Sequence, residues 1–159
     1  MIVQEEDILD VVAYDLGGTP DNFKLVFTNG CFDVLHAGHV RYLKEASDQG
    51  NLLYVAVNSD ESVKYLKGDD RPIVPQEERC EIIDALKWVD VVIPFKGNRV
   101  THLLSLIKPH IFVKGGDYTW DTLHPEEKHI LEMINADVHF AKLISGKSTT
   151  NIIQKIQKI

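Results

Sequence analysis

Two histidines three residues apart, His36 and His39, have the residue type and the spacing to contact one phosphate group. On an α-helix of about 3.6 residues per turn, positions i and i+3 share one face, with Cβ atoms roughly 5–6 Å apart. An amphipathic pattern over residues 40–46 predicts a helix directly after them. The N-terminus of a helix also attracts anions through its free N–H groups and its dipole. The pair therefore predicts phosphate chemistry at the start of a helix.

The residues before this helix have the pattern of a strand followed by a turn. An apolar, β-prone run over residues 24–27 predicts a strand, and Asn29-Gly30 suits a tight turn that lets backbone approach a ligand closely. An open α/β sheet binds its ligand at such a junction. Two other interpretations stay open: the histidines only cap and pack the helix, or they bind zinc together with Cys31 and Asp33. Asp33 also suits a role in holding the turn.

The apolar runs along the chain alternate between strand and helix patterns. Strands are predicted at residues 24–28, 52–57, 89–93, 110–113 and 137–141. Helices are predicted at residues 5–16, 38–49, 60–66, 76–87, 99–107, 125–134 and 148–158. Such alternation requires parallel strands joined by right-handed crossovers. We expect an α/β protein with a Rossmann-like five-stranded parallel sheet and helices on both faces. We expect residues 1–159 to form a single domain, with a leading helix in residues 1–18 and a core in residues 24–158.

The composition excludes several classes of protein. The 159 residues include 17 Lys and Arg against 24 Asp and Glu, so the formal net charge is −7. This charge argues against broad binding to nucleic acid or to anionic membranes, which requires a basic face. No apolar run approaches the roughly 18 residues of a membrane span, and Cys31 and Cys80 form no CxxC pair. We expect a cytoplasmic protein.

Three competing motifs are incomplete. A dinucleotide-binding turn has the pattern GxGxxG, but the turn after the first strand contains one glycine, Gly30. GKST at residues 146–149 is similar to the end of a Walker A loop, but Ala141 stands where its first glycine is required. The histidines of HPEEKH, residues 124–129, are five apart, which differs from the i, i+4 spacing of a zinc helix. This segment predicts a solvated helix start.

TNGCFDVLHAGH, residues 28–39, resembles the (T/N)GxFDxxHxGH signature of the cytidylyltransferase-like nucleotidyltransferases. The resemblance covers nearly the whole chain and is strongest to the D-glycero-β-D-manno-heptose 1-phosphate adenylyltransferases. It rests on the stretches NSD, LKGDDRP, VD, VKGGDY and STTNII, at residues 58–60, 66–72, 89–90, 113–118 and 148–153. The resemblance implies transfer of AMP from ATP to a sugar phosphate, with release of pyrophosphate and a requirement for Mg²⁺.

The resemblance also implies roles for individual residues. The implied catalytic residues are His36, His39, Lys67 and Arg79. The implied contacts of the acceptor sugar phosphate are Asp60, Lys67 and Arg71. The implied nucleotide-binding residues are Thr28, Asn29, Gly30, Cys31, Phe32, Asp33, His36, His39, Lys114, Gly115, Gly116, Asp117, Tyr118, Ser148 and Thr149.

Each of these groups also has a simpler interpretation. Asp60, Ser148 and Thr149 stand where helices are predicted to begin and suit N-caps. The two glycines at 115–116 suit a plain turn. The cations after the second strand suit solvated surface pairs, each worth under about 1 kcal/mol.

Two departures from the resemblance keep other functions open. Leu143 stands near the place where glycerol-3-phosphate cytidylyltransferases have an arginine, and TWDTLHPEEKHIL at residues 119–131 differs from the bifunctional heptose enzymes. The alternatives are a glycerol-3-phosphate cytidylyltransferase-like enzyme, an FAD-synthase-like enzyme and a non-catalytic nucleotide-binding module.

A homodimer is also expected. Members of this family are commonly homodimers. The predicted helix 76–87 and the residue after it contain four large apolar side chains in close succession: Ile82, Ile83, Leu86 and Trp88. One flank of a five-stranded sheet needs less apolar surface than this.

Overall fold

The computed structural model describes residues 1–142 and 148–159. Two features of the sequence lie outside the described residues. They are Leu143, near the place of the cytidylyltransferase arginine, and residues 146–147, at the end of the Walker A-like stretch. The strands are β1 (Leu25–Gly30), β2 (Leu52–Asn58), β3 (Val91–Phe95), β4 (Ile111–Gly115) and β5 (Asp137–Ala141). After a 3₁₀ turn at Glu5–Asp7, the helices are α1 (Ile8–Leu16), α2 (Ala37–Ser47), α3 (Asp60–Lys67), α4 (Gln76–Asp84), α5 (Thr101–Ile107), α6 (Pro125–Met133) and α7 (Thr149–Ile156).

The five strands form one parallel sheet in the order β3-β2-β1-β4-β5. The predicted Rossmann-like α/β fold is therefore confirmed. The chain builds outward from β1 through β2 to β3 and then returns to add β4 on the other side of β1. This reversal places a crevice between the carboxyl ends of β1 and β4, which is the usual ligand position in such sheets.

Helices cover both faces of the sheet, so both faces are buried. Successive side chains of a strand point to opposite faces and therefore belong to different apolar clusters. Leu25 and Phe27 of β1 belong to the apolar cluster that α1, α5 and α6 cover. Val26 belongs to the cluster on the opposite face, under α2 and α4. All three residues are fully buried, so β1 is a fixed central support for the residues that follow it.

The N-terminal residues extend along the outer edge of β3. Ile2 forms a parallel bridge with Val92, and Val3 N–H donates to the Val92 carbonyl at 2.9 Å. The leading helix α1 then packs onto the sheet through Ile8, which is fully buried. Among the described residues no helix is long and apolar enough to cross a membrane.

Helix α4 ends at Asp84, three residues before the predicted end. The chain leaves the helix in tight turns, in which Leu86 N–H bonds to the Ile83 carbonyl and Val89 N–H to the Leu86 carbonyl. Ile83 is fully buried and Leu86 packs against the same core cluster. Two of the four apolar side chains that suggested a dimer, Ile83 and Leu86, therefore pack inside the domain.

Candidate active site

A cavity of about 850 Å³ lies at the carboxyl ends of the strands. Residues from the end of every strand or from the segment directly after it line this cavity. Sixteen predicted site residues are among them: Asn29, Gly30, Cys31, Phe32, Asp33, His36, His39, Lys67, Arg71, Lys114, Gly115, Gly116, Asp117, Tyr118, Ser148 and Thr149. Thr28, Asp60 and Arg79 do not line it.

The predicted tight turn at Asn29-Gly30 is wrong. Both residues continue β1, where they pair with Ala56 and Val57 of β2. A Cβ atom at Gly30 would lie 3.0 Å from the Phe32 ring, so a side chain there would require the ring to move by a few tenths of an ångström. The turn comes later and starts at residue 31.

The backbone of this later turn is strained. Phe32 and Val34 have φ angles of 49° and 50°, in the left-handed region that non-glycine residues rarely adopt. A β-branched residue such as valine is especially disfavoured there, and such conformations persist only where the surroundings enforce them. Two features enforce them here. Phe32 is buried, and Asp33, which lies between the two strained residues, is held by several hydrogen bonds.

Asp33 ties the turn to two other segments. Its carboxylate accepts from Ile73 N–H at 3.0 Å and Val74 N–H at 2.9 Å, and it pairs with Arg71 Nε at 2.5 Å. Its carbonyl accepts from the Thr149 hydroxyl at 2.7 Å. Burial alone would raise the pKa of the carboxyl, but the two N–H donors and the guanidinium together hold the pKa below its usual value. The predicted role of Asp33 in holding the turn agrees with these bonds.

These bonds weaken the zinc interpretation. The Asp33 carboxylate is directed at the segment 71–74 instead of at the histidines. Burial, only partly offset by Lys67 and Arg79, raises the pKa of Cys31, whereas a metal requires the thiolate. Within residues 1–142 and 148–159, no group of three or more His, Cys, Asp or Glu side chains could hold a metal ion.

His36 lies before α2 instead of within it. It is the N-cap, with extended backbone (φ −142°, ψ 169°), and its Nδ1 accepts from Gly38 N–H at 3.0 Å. The predicted sharing of one helical face is therefore wrong in detail. The two imidazoles nevertheless meet, because the rings of His36 and His39 stack with centroids 3.8 Å apart and an interplanar angle of 21°.

The two histidines present different groups to the cavity. Because His36 Nδ1 accepts a hydrogen bond, the neutral ring has its proton on Nε2, which is then a donor. Burial, together with the charge of His36, lowers the pKa of His39 to about 4. His39 is therefore neutral at neutral pH. Its buried Nδ1 has no hydrogen-bond partner among the described residues.

Arg79 lies behind the cavity, with its side chain fully buried. Its guanidinium donates to the carbonyls of Cys31, Val74 and Asn58, the last two at 2.8 Å. It also pairs with Asp60 at 2.6 Å. The implied catalytic contact of Arg79 does not agree with this position, because protein acceptors surround its donors. Arg79 instead holds the strained turn against the segment after β2.

Asp60 is not the N-cap of α3. That position belongs to Ser59, whose hydroxyl accepts from Ser62 N–H at 3.2 Å. Asp60 is the first helical residue, and its carboxylate faces Arg79 outside the cavity lining. The implied contact of Asp60 with the acceptor therefore has no geometric support.

The cations on the β2–β3 side of the cavity differ in their partners. Arg71 is mostly buried, with 14% of its side chain exposed, and is paired with Asp33. Lys67 ends α3 and is exposed. Arg99, which the sequence analysis missed, also lines the cavity, in the segment after β3. Within the described parts of the chain neither Lys67 nor Arg99 forms an ion pair.

On the other side of the crevice, Lys114 at the end of β4 faces Glu127 in the first turn of α6. The Nζ–Oε1 distance is 3.5 Å, and 10% and 6% of the two side chains are exposed. Lys114 Nζ also donates to Asn29 Oδ1 at 3.2 Å. The predicted solvated start of α6 is therefore wrong at Glu127, although Pro125 begins the helix and His124 caps it.

Ser148 is the N-cap of α7 and accepts from Asn151 N–H at 3.1 Å, as predicted. Thr149 is not a cap, because its hydroxyl bonds to Asp33. Thr28 lies below the cavity and donates to the Val113 carbonyl at 2.8 Å. The nucleotide-binding role implied for Thr28 can therefore only be indirect.

The other lining residues were absent from the predicted site set. They are Gly38, Tyr42, Asn58, Tyr65, Leu66, Asn98, Arg99, Thr122, His124, Glu127, Ala141, Lys142 and Thr150. The sequence could have predicted Asn58, Asn98, Arg99 and Lys142, because each lies at or shortly after the end of a predicted strand. The residues after neighbouring parallel strands meet at one edge of the sheet. For Glu127 the sequence provided none, because a glutamate in a first helical turn is ordinarily solvated.

The fold, the cavity at its switch point and the match to a known family together identify an α/β nucleotidyltransferase. Residues 27–155 match the family described as cytidylyltransferase-like, and the chain belongs to that family.

Curated relatives support this assignment. The chain is 45% identical to the bifunctional protein HldE of Geobacter sulfurreducens over 94% of its own length and 30% of that protein. It is 48% identical to HldE of Aliarcobacter butzleri over 85% of its own length and 27% of that protein. The chain thus spans less than a third of the length of these relatives.

Two solved structures are similar in fold. The lipopolysaccharide core biosynthesis protein of Thermoplasma volcanium superposes with a TM-score of 0.61 at 27% identity, covering 78% of this chain and 98% of that one. Pantoate-beta-alanine ligase of Francisella tularensis, solved with beta-gamma ATP and beta-alanine, gives a TM-score of 0.58 at 14% identity. It covers all of this chain and 78% of that one, and shows the fold alone.

Proposed function

We propose that this nucleotidyltransferase transfers AMP from ATP to D-glycero-β-D-manno-heptose 1-phosphate. An oxygen of the sugar phosphate attacks the α-phosphorus of ATP. The bond between that phosphorus and the bridging oxygen to the β-phosphate breaks, and ADP-heptose and pyrophosphate form. The observation that supports this best is the stacked pair His36–His39, which lines a cavity with cations on both sides.

The choice of sugar rests on the resemblance and on the relatives. The stretches LKGDDRP, KGGDY and STTNII resemble the heptose adenylyltransferases, and the HldE proteins are 45–49% identical to this chain. The similar protein of Thermoplasma volcanium is described as acting in lipopolysaccharide core biosynthesis, which is consistent with an activated sugar as product.

The cavity offers two sides for two substrates. We assign the nucleotide to the β4–β5 side, with residues 114–118 near the nucleoside and the start of α7 near the phosphates. We assign the acceptor to the β2–β3 side. Its phosphate is best suited to Lys67 and Arg99, because Arg71 is already paired with Asp33.

Phosphoryl chemistry of this kind requires alignment and charge stabilisation more than covalent participation. The acceptor phosphate is already ionised, so the chain need not supply a base. His36 donates from Nε2, and neutral His39 adds a second polar group, both toward the charge that develops on the transferring phosphate. Mg²⁺ enters as part of the ATP substrate and masks charge on the leaving pyrophosphate.

A substrate panel tests the proposal. ATP, CTP, GTP and UTP are each combined with the heptose phosphate, glycerol 3-phosphate, FMN and hexose 1-phosphates, and pyrophosphate release is followed with Mg²⁺ present. We expect the highest kcat/KM for ATP with the heptose phosphate. Absence of release with every pair would contradict the enzymatic function, and calorimetric ATP binding without turnover would then identify a nucleotide-binding module.

The second candidate is a cytidylyl transfer on the same scaffold, which agrees with the description of the matching family as cytidylyltransferase-like. An FAD-forming reaction is the other alternative. The same panel separates it. The highest kcat/KM for CTP with glycerol 3-phosphate, or for ATP with FMN, would replace the heptose assignment. The cytoplasmic location and the homodimer stay predictions.

A further inference from the structure

The ion pair between Lys114 and Glu127 is unusual for its burial. Both side chains are at least nine-tenths buried, yet both line the cavity. Burying two charges costs more than the pair returns, so an apolar pair of similar size would be equally or more stabilising. Strongly desolvated charges in a cleft are typical of functional sites. The position therefore suggests a ligand contact.

The surroundings of Lys114 limit what that ligand can be. Its ammonium has three donors: one bonds to Asn29 Oδ1, one is directed at Glu127, and the rings of Phe112 and Tyr118 lie within about 5 Å of the nitrogen. Burial lowers the pKa of Lys114, and the Glu127 carboxylate opposes this effect. The ammonium is thus fixed in place and charge-balanced by its neighbour.

A charge-balanced pair is poorly suited to a phosphate, because the carboxylate repels an anion as strongly as the ammonium attracts it. It suits an uncharged polar group that both donates and accepts, such as a hydroxyl. Among the described residues, cations of the cavity without an ion pair lie elsewhere, at Lys67, Arg99 and Lys142. The Tyr118 ring beside Lys114 is 40% exposed and offers a flat surface at the same place.

We propose that Lys114 and Glu127 together bind the ribose hydroxyls of the nucleotide, with the carboxylate accepting and the ammonium donating. This inference rests on the proposed nucleotidyl transfer and extends it, since it assigns the pair to the nucleoside and the rest of the cavity to the phosphates. Glu127 is then a specificity-determining residue for ribonucleotides.

Calorimetry on the full chain tests this assignment with ATP, 2′-deoxy-ATP, 3′-deoxy-ATP, adenosine and pyrophosphate. We expect Glu127→Gln to weaken ATP and adenosine by about ten- to hundredfold, the range for one hydrogen bond to a charged group. Pyrophosphate affinity should not fall, because loss of the carboxylate leaves the positive charge of Lys114 in place. The variant also loses the preference of the wild type for ATP over one of the deoxy analogues.

Glu126→Gln is the matched control, because Glu126 is the adjacent residue, has 70% of its side chain exposed and lies outside the cavity lining. It should bind all five ligands as the wild type does. The double variant Lys114→Met/Glu127→Leu removes both charges together, which protects the fold from an unpaired buried charge. It should lose adenosine affinity and keep pyrophosphate affinity.

Equal losses for adenosine and pyrophosphate, or no loss for either, would overturn the assignment. So would a wild type that binds ATP and both deoxy analogues equally. These outcomes are independent of turnover. A wild type that binds ATP without pyrophosphate release in the substrate panel would contradict the transferase proposal alone.

Discussion

The stacked imidazoles differ in how each can hold a proton. His36 accepts from Gly38 N–H at Nδ1, so its donor is Nε2, whereas His39 is buried and neutral near pH 7. Two stacked rings with centroids 3.8 Å apart would repel each other if both were charged. The pair therefore has at most one positive charge at neutral pH, and the contribution to catalysis that we propose for it is directional hydrogen bonding.

Replacing either histidine should reduce turnover. We expect His36→Ala and His39→Ala each to lower kcat by about 10²–10³, or about 2.7–4 kcal/mol, because each removes a preorganised polar group that stabilises transition-state charge. His36→Ala also removes an N-cap, which costs about 1 kcal/mol of stability. Steady-state kinetics and urea unfolding measure both effects.

His102→Ala is the control for this experiment. His102 is exposed on α5 and lies outside the cavity lining, so its replacement should change neither quantity. Variants at 36 or 39 that unfold while the remaining folded fraction turns over normally would instead support a packing role for the histidines.

The pKa of His39 also predicts a pH dependence of stability. The pKa of this ring is about 4 in the folded chain and 6.5 as its ordinary value. Between these values the unfolded chain binds more protons, so the free energy of unfolding falls as the pH is lowered from 6.5 toward 4. Above that window His39 contributes no pH dependence.

Histidine ring NMR measures this directly. The His39 signals, assigned by their loss in His39→Asn, should titrate near pH 4. Titration of these signals between pH 6 and 7 would contradict the predicted neutrality of the ring.

At the scale of elements, the short segment after β3 has a fixed position. It lies between two buried residues, Phe95 and Val100. Asn58 at the end of β2 donates to the Gly97 carbonyl at 3.5 Å, and a Cβ atom on Gly97 would lie 2.9 Å from the Arg99 carbonyl. Arg99 is thus an exposed side chain on an anchored turn.

Arg99→Gln should raise KM for the sugar phosphate by about tenfold, the low end of the range for losing one charged hydrogen bond. KM for ATP should stay unchanged, because the acceptor is assigned to this side of the cavity. Lys96→Gln is the control, since it removes the same charge from the same turn outside the cavity lining. Equal effects of both variants would indicate that KM depends on the total charge of this turn and not on a contact between Arg99 and the sugar phosphate.

The types of the elements were predictable, because alternating apolar runs determine an α/β sheet with few alternatives. The end of β1 was not. Asn29-Gly30 has the composition of a turn, but pairing with β2 keeps both residues extended, and the turn falls on Phe32 and Val34 instead. Tertiary contacts of Asp33 enforce those left-handed conformations, and no local propensity predicts them.

The site was predictable where the motif is local. The histidines, the KGGDY stretch and Ser148 all line the cavity. The burial of Arg79 and Glu127 was not predicted. Charged residues are ordinarily exposed, and the burial of these two depends on partners elsewhere in the sequence. Cys31 lies 48 residues from Arg79, and Lys114 lies 13 residues from Glu127.

At the scale of the whole molecule, the expected homodimer has less support than the sequence suggested. Ile83 is buried, and Ile82 is 40% exposed on the same helix. We still predict a dimer from the family, with twice the mass of one chain in solution scattering at micromolar concentration. Ile82→Lys should shift the mass toward one chain if α4 lies in the interface, whereas a monomeric wild type would contradict the prediction.

The N-terminal residues affect how such copies can meet. The chain backbone at Met1 and Val3 occupies hydrogen-bonding groups of Val92 at the outer edge of β3. An uncovered edge strand is a template for pairing with another sheet, and native proteins often blunt it. This edge is therefore a poor site for joining two sheets into one, and protein lacking these first residues would be more prone to aggregation through β3.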